Sequence, residues 1–176
     1  MCCLASRRIY VNMTDVKSIM PTLFLREDEL RRAVELLFFA YRDFTTEADA
    51  ALARHGLGRA HHRALHFINR RPGITVGELL TILKITKQSL SRVLNTLVDD
   101  GYVSATVGKT DRRQRQLSLT AKGQVLAREL EGLQHARIAT AYRQAGPQAV
   151  AGFWKVLAEI VNPEERDQVL AFLDQH

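Results

Sequence analysis

From about Glu27 the apolar residues recur at spacings of three and four: Leu30, Val34, Leu37, Phe38, Tyr41, Phe44, Ala48 and Leu52. That period predicts one long amphipathic helix, which Gly56 and Gly58 end. Residues 1–25 show no sustained period, and Pro21 interrupts what there is, so 1–26 reads as a poorly ordered arm. A second helix is expected over 59–70, with Leu65 and Ile68 turned inward and Pro72-Gly73 as its stop. Thr75 and Glu78 have the spacing of a capping box, which starts a short helix over 76–83. After Lys84-Ile85, Thr86 is a plausible N-cap for a longer helix that runs to about Asp99 and ends at Gly101. Its apolar stripe is Leu90, Val93, Leu94 and Leu97.

Two helices joined by about three residues form a helix-turn-helix. Residues 102–107 and 116–119 then read as strands, with β-branched and alternating apolar positions. Between them lies a polar stretch from Gly108 to Arg115 that is too basic to be core. The expected fold is therefore mainly α with a two-stranded β-wing, a winged helix-turn-helix. After Thr120 the helical period resumes through Val125, Leu126, Leu130, Leu133, Ile138 and Tyr142. Gly146-Pro147 and Asn162-Pro163 break it, with Phe153, Trp154, Leu157 and Ile160 between them.

Charge sharpens this picture. The 176 residues carry 25 Lys+Arg against 19 Asp+Glu, a formal net charge of +6. Residues 54–122 hold 13 basic and 4 acidic side chains, whereas the flanks 1–53 and 123–176 are −1 and −2. A basic module between near-neutral flanks is the footprint of a nucleic-acid contact surface, although a solvated basic face would carry the same charge. The longest apolar run, 36–41, is six residues, and a bilayer span needs ~20. No secretory h-region follows Arg7 and Arg8, and the cysteines, Cys2 and Cys3, offer no disulfide framework. The expectation is a cytoplasmic protein without a membrane partner.

Enzyme signatures fail individually. Gly56-x-Gly58 is followed by His61 where a dinucleotide fingerprint needs glycine, and Gly108-Lys109-Thr110 has Val103 where a phosphate-binding loop needs one. No G-x-S-x-G or H-E-x-x-H occurs, so we expect no enzyme and no cofactor. His62 and His66, four apart, share a helix face and are the best metal candidates among His55, His61, His62 and His66. A third ligand would have to come from another segment, so no metal is assigned, and histidines facing neighbouring helices or bonding backbone are the reading preferred. Cys2 and Cys3 have only Arg7 and Arg8 nearby to favour a thiolate, which makes a redox role weaker still.

The sequence resembles the MarR family of bacterial transcription regulators. The residues that carry the likeness are Gly73-Ile74-Thr75-Val76-Gly77-Glu78-Leu79-Leu80 and Thr86-Lys87-Gln88-Ser89-Leu90-Ser91-Arg92-Val93-Leu94. Gly101-Tyr102-Val103, Asp111-Arg112-Arg113 and Leu119-Thr120-Ala121-Lys122-Gly123 follow in the family's order. Residues 83–90 are further similar to its PetP-type branch. The resemblance spans about 27–160 and implies obligate homodimers formed by the terminal helices, each protomer presenting a recognition helix and a wing to double-stranded DNA. It leaves room for an unidentified small-molecule effector.

On that basis 27–58 is expected to be an N-terminal dimerisation helix, 59–122 the DNA-binding domain, and 123–176 the C-terminal dimerisation helices. Leu30, Val34, Tyr41, Phe153, Trp154 and Leu157 are the interface candidates, because their apolar surface exceeds what 54–122 could cover. Thr86 opens the recognition helix, and Gln88, Ser89 and Arg92 are the candidates for base edges, with Asn95 behind them. Lys87 and Ser91 are the candidates for phosphates. In the wing, Asp111 would aim Arg113 into a narrow minor groove, as the family motif implies, with Lys109, Arg112 and Arg115 as further contacts. Two alternatives stay open: a winged-helix adaptor that binds an acidic protein, and a metal-responsive regulator that uses the histidines.

Overall fold

A computed structural model describes residues 24–108 and 114–175. Among the described residues, seven helices and three strands run in the order α1 (Glu27–Ala53), α2 (Arg59–Arg70), β1 (Ile74–Thr75), α3 (Val76–Leu83), α4 (Lys87–Asp99), β2 (Val103–Val107), β3 (Arg115–Leu119), α5 (Ala121–Ala145), α6 (Pro147–Ile160) and α7 (Pro163–Leu173). Among the described residues no helix is long and apolar enough to cross a membrane. The chain divides into two compact units inside α1, Met1–Thr45 and Thr46–His176. In the first, the described part of α1 is exposed along most of its length and closes on the Thr45 hydroxyl, which donates to the Tyr41 carbonyl at 3.1 Å.

The second unit holds the core. Leu52, Leu65, Ile68, Ile74, Leu79, Leu90, Leu97, Leu117 and Leu130 are fully buried. The core draws its members from the last turns of α1, from α2 to α4, from the sheet and from the first turns of α5. The expected stripe of α4 is buried at each of its four positions, because spacings of three and four return to one helix face. Val125, read as part of the same apolar period in α5, is instead exposed.

The hairpin pairs Val103 with Leu119 and Val107 with Arg115, and Gly108 N–H donates to the Gln114 carbonyl at 2.9 Å. The sheet has one more strand than the two-stranded wing expected from sequence. β1, two residues long, adds to the other side of β3 in the order β1-β3-β2. Two residues carry no readable alternation, and the pairing is fixed at long range, where Gly73 N–H donates to the Leu117 carbonyl at 2.8 Å. The strand ties the start of α3 to the wing. Thr75, its second residue, is also the N-cap of α3. The Thr75 hydroxyl accepts from Glu78 N–H, and Thr75 N–H and hydroxyl both donate to the Glu78 carboxylate at 2.8 Å. These two donors, with Arg71 behind them, hold the Glu78 carboxyl below the usual carboxylate range.

The root of the wing is a tight junction. α4 ends at Asp99, and at Gly101, whose φ of +74° favours glycine, the chain turns into Tyr102. Tyr102 N–H donates to the Leu97 carbonyl, and the Tyr102 carbonyl accepts from Thr120 N–H at 3.0 Å. The Thr120 hydroxyl donates to the Gly101 carbonyl at 2.7 Å and caps α5 by accepting from Gly123 N–H at 3.1 Å. Gly123 packs directly on Tyr102: a Cβ there would lie 2.1 Å from the Tyr102 carbonyl oxygen. Because that obstacle is backbone, Gly123→Ala should destabilise the protein by about 3 kcal/mol, the upper range for overpacking. Urea unfolding measures it, and a loss below ~0.5 kcal/mol would show that the junction has slack.

Candidate nucleic-acid interface

Over its first two turns, the face of α4 opposite its buried stripe is polar; Val98 interrupts it near the far end. Thr86, the N-cap, and Lys87, Gln88, Ser89, Ser91, Arg92 and Asn95 of α4 are all exposed, so the seven expected residues share the solvent side of this helix and its cap. Thr86 builds the start of that surface. Its hydroxyl accepts from Ser89 N–H at 3.2 Å and donates to the Ser89 hydroxyl at 2.9 Å. The Ser89 oxygen is thereby held in place while its own O–H remains a donor for an external acceptor. The turn before Thr86 is tight, and Lys84 caps α3 in the left-handed conformation at φ 50°.

Among the described residues, no ion pair engages Lys87, Arg92 or Arg115. Three cations on the outer surface are thus free to meet an anion. Arg115 is exposed at the start of β3, opposite Val107 in the ladder. Lys109, Asp111, Arg112 and Arg113 lie outside the described residues.

Lys122 and Tyr102, which the sequence reading had placed only within motifs, brace the wing. The Lys122 ammonium lies 4.1 Å from the Tyr102 ring centroid and donates to the Asp100 carbonyl at 2.7 Å. The Tyr102 hydroxyl shares a hydrogen bond of 3.1 Å with His55 Nδ1. These groups border a shallow hollow of 260 Å³ completed by Val125, Leu126 and Glu129. The only sequence signal for this brace was a lysine three residues past a strand, which is too common to single out.

Of the interface candidates, Leu30, Val34 and Tyr41 on α1 and Phe153 and Trp154 on α6 are exposed, and Leu157 is half-buried. Val34 is 70% exposed and Trp154 55%, values that leave most of each apolar side chain in water.

The histidines serve several partners. His61 Nδ1 accepts from Gly58 N–H at 3.0 Å, which caps α2. His62 and His66 pack with Leu65 against Ala127, Leu130 and Glu131 of α5, leaving no room for a water molecule between them. Among the described residues no group of three or more His, Cys, Asp or Glu is placed to hold a metal ion. Burial lowers the pKa of His62, and the neighbouring His66 lowers it further against Asp49 and Glu131. His66 is exposed by surface area, yet desolvation by the residues packed around its ring is the main cause of its lowered pKa, where Arg70 and His135 act in the same direction and Glu131 opposes them.

Residues 55–114 match the model of the MarR family. The chain is 56% identical over 144 residues to the HTH-type transcriptional regulator PetP of Rhodobacter capsulatus, which covers 82% of this chain and 87% of that protein. Its fold is similar to that of Streptococcus pneumoniae FabT in complex with DNA, with a TM-score of 0.68 at 20% identity over 82% of this chain and 99% of that one. It is also similar to the Mycobacterium tuberculosis MarR family protein Rv2887 in complex with p-aminosalicylic acid. That match has a TM-score of 0.52 at 25% identity and covers 73% of this chain and 97% of that one.

The lowered histidines give a pH dependence. Above about pH 6.5, the ordinary histidine value, neither folded nor unfolded chain is protonated there. Below it the unfolded chain takes up protons that the folded one refuses, so stability falls as pH drops. The protein should therefore lose stability from pH 7 to pH 5 more steeply than a His62→Asn/His66→Asn variant does in urea titrations. Parallel profiles for the two proteins would exclude these histidines as the cause.

Proposed function

Because the chain belongs to the MarR family, we propose that it is a transcriptional regulator that binds double-stranded DNA in a sequence-specific manner as a homodimer. The observation that carries this reading is the α4 surface: seven hydrogen-bonding side chains exposed on the solvent side of the helix and its cap, with Lys87 and Arg92 unpaired. Gln88 and Asn95 are suited to adenine edges and Arg92 to guanine, while Lys87 and Ser91 suit phosphates. Ser89, oriented by Thr86, adds a donor near the amino-terminal end, where a recognition helix enters deepest. Arg115 and the wing residues Lys109, Asp111, Arg112 and Arg113 extend the contact by the family pattern, with Asp111 aiming Arg113 into the flanking minor groove.

The exposed apolar side chains of α1 and of α6 support the homodimer. Monomeric proteins seldom leave patches of this kind in water, and a second copy supplies the same apolar chemistry. Two recognition helices related by a two-fold axis would read half-sites about 10 base pairs apart, centre to centre. The complex of Rv2887 with p-aminosalicylic acid supports a small-molecule effector as a further partner. An adaptor that binds acidic proteins would use the same basic surface, but it would not prefer one duplex over scrambled competitor.

The dimer is tested by sedimentation at micromolar concentration. The native chain should sediment as a dimer, Trp154→Asp should shift it towards monomer, and a native monomer would contradict the proposal.

The DNA contact is tested by selecting a duplex from a random pool and measuring two variants at two salt concentrations. Arg92→Ala should cost ~1–3 kcal/mol and relax preference at one position in each half-site. Lys87→Ala should weaken all sequences alike and flatten the salt dependence by about one unit. Uniform loss with a flatter slope in Arg92→Ala would make it a backbone contact and move base reading to Gln88, Ser89 and Asn95.

A further inference from the structure

The C-terminal helix α7 is tied to the DNA-reading module at both of its ends. At its start, the Glu165 carboxylate pairs with the Lys84 ammonium, and Lys84 sits in the left-handed turn two residues before the N-cap of α4. At its finish, the Arg70 guanidinium donates to the carbonyls of Phe172, Leu173 and Gln175 at 3.2, 2.9 and 2.8 Å. The last carbonyls of a helix have no partner within it, and a cation there also meets the negative end of the helix dipole. Arg70 is the last residue of α2, and at the same tie the Phe172 ring packs 5.9 Å from that of Phe67.

The other side of α7 is locked to α6. Arg166 donates to the carbonyls of Glu159 and Val161 at 3.0 and 3.3 Å and pairs with the Glu159 carboxylate at 2.8 Å. The corner between α6 and α7 is thus held by a guanidinium, and not by a flexible linker. A set of contacts runs from the C-terminal end of α6, the helix that carries the exposed apolar face, through the Arg166 corner and α7 to the turn that launches α4.

We propose that α7 is a brace that fixes the recognition helix relative to the dimerising face, with Glu165 and Arg70 as positioning residues that set which half-site spacing the dimer accepts. The proposal rests on the DNA-binding dimer proposed above. Neither residue needs to touch DNA. If α7 comes loose at either end, each reading module gains freedom relative to its partner, and the penalty for a wrongly spaced operator shrinks.

The test compares the full chain with Glu165→Gln, Arg70→Gln and the charge swap Lys84→Glu/Glu165→Lys. Affinities are measured for the selected duplex and for versions lengthened or shortened by one base pair between half-sites. Glu165→Gln should reduce the preference for the correct spacing by about two- to fivefold, the range of an exposed ion pair. Affinity for scrambled DNA and the sedimentation of the dimer should stay unchanged, and the charge swap should restore the preference. Arg70→Gln should act in the same direction. Should it unfold, the surface variant Glu165→Gln still decides. Equal loss at every spacing, or a preference the swap does not restore, would overturn the brace. So would tighter binding of all DNA by Glu165→Gln, since Glu165 would then merely screen a phosphate-seeking lysine. A wild-type chain that selects no duplex would defeat the function proposal, whereas selection with unchanged spacing preference in the variants defeats the brace alone.

Discussion

The contact between Gly123 and the Tyr102 carbonyl sets the limits within which the reading surface is built. Three segments converge there: the end of α4, the root of β2 and the start of α5. Each brings backbone groups that would otherwise lack partners, and Thr120 satisfies several of them at once through its N–H and hydroxyl. The approach is so close that no side chain beyond hydrogen fits on α5 at that point. The wing therefore leaves α4 in a direction fixed by main-chain hydrogen bonds, and the β1 pairing ties the same sheet to the start of α3.

This arrangement divides the work between apolar and polar residues in a simple way. The stripe of Leu90, Val93, Leu94 and Leu97 faces the core. Everything else on the first two turns of α4 is free to be polar without cost to packing. Exposed polar side chains add little to stability, so their identities can be set by what they bind. The proposed base-reading residues fall in that free set.

Most of the fold was legible in the sequence because its signals are local. The Thr75/Glu78 capping box, the Thr86 cap, the period of Leu90 to Leu97 and the stop at Gly101 each act within a few residues. The α4 part of the candidate site followed, since a buried stripe on a helix implies the exposed face opposite it. β1 was missed because two residues cannot show a period. The pairing of Lys84 with Glu165 spans 81 positions, and Arg70 reaches carbonyls more than a hundred residues away. No local pattern announces such ties, since any surface lysine, arginine or glutamate looks alike in sequence. The histidines illustrate the same limit: their spacing of four suggested a shared ligand, whereas the facing residues of α5 give them a packed and partly apolar setting.

Trp154 is the single tryptophan of the chain, and it stands exposed on α6, away from the buried core of the winged helix. Tyr102, by contrast, is buried at the wing root beneath the Lys122 ammonium. The molecule thus carries two optical reporters in two different environments. Indole emission from Trp154 responds to whatever covers or bares α6, and it shifts to shorter wavelength as water is excluded. Tyrosine signals contain a contribution from Tyr102 that responds to opening of the junction itself. The indole is therefore a reporter of the α6 surface that needs no label, and of the four tyrosines Tyr102 is the one whose surroundings change when the wing root opens.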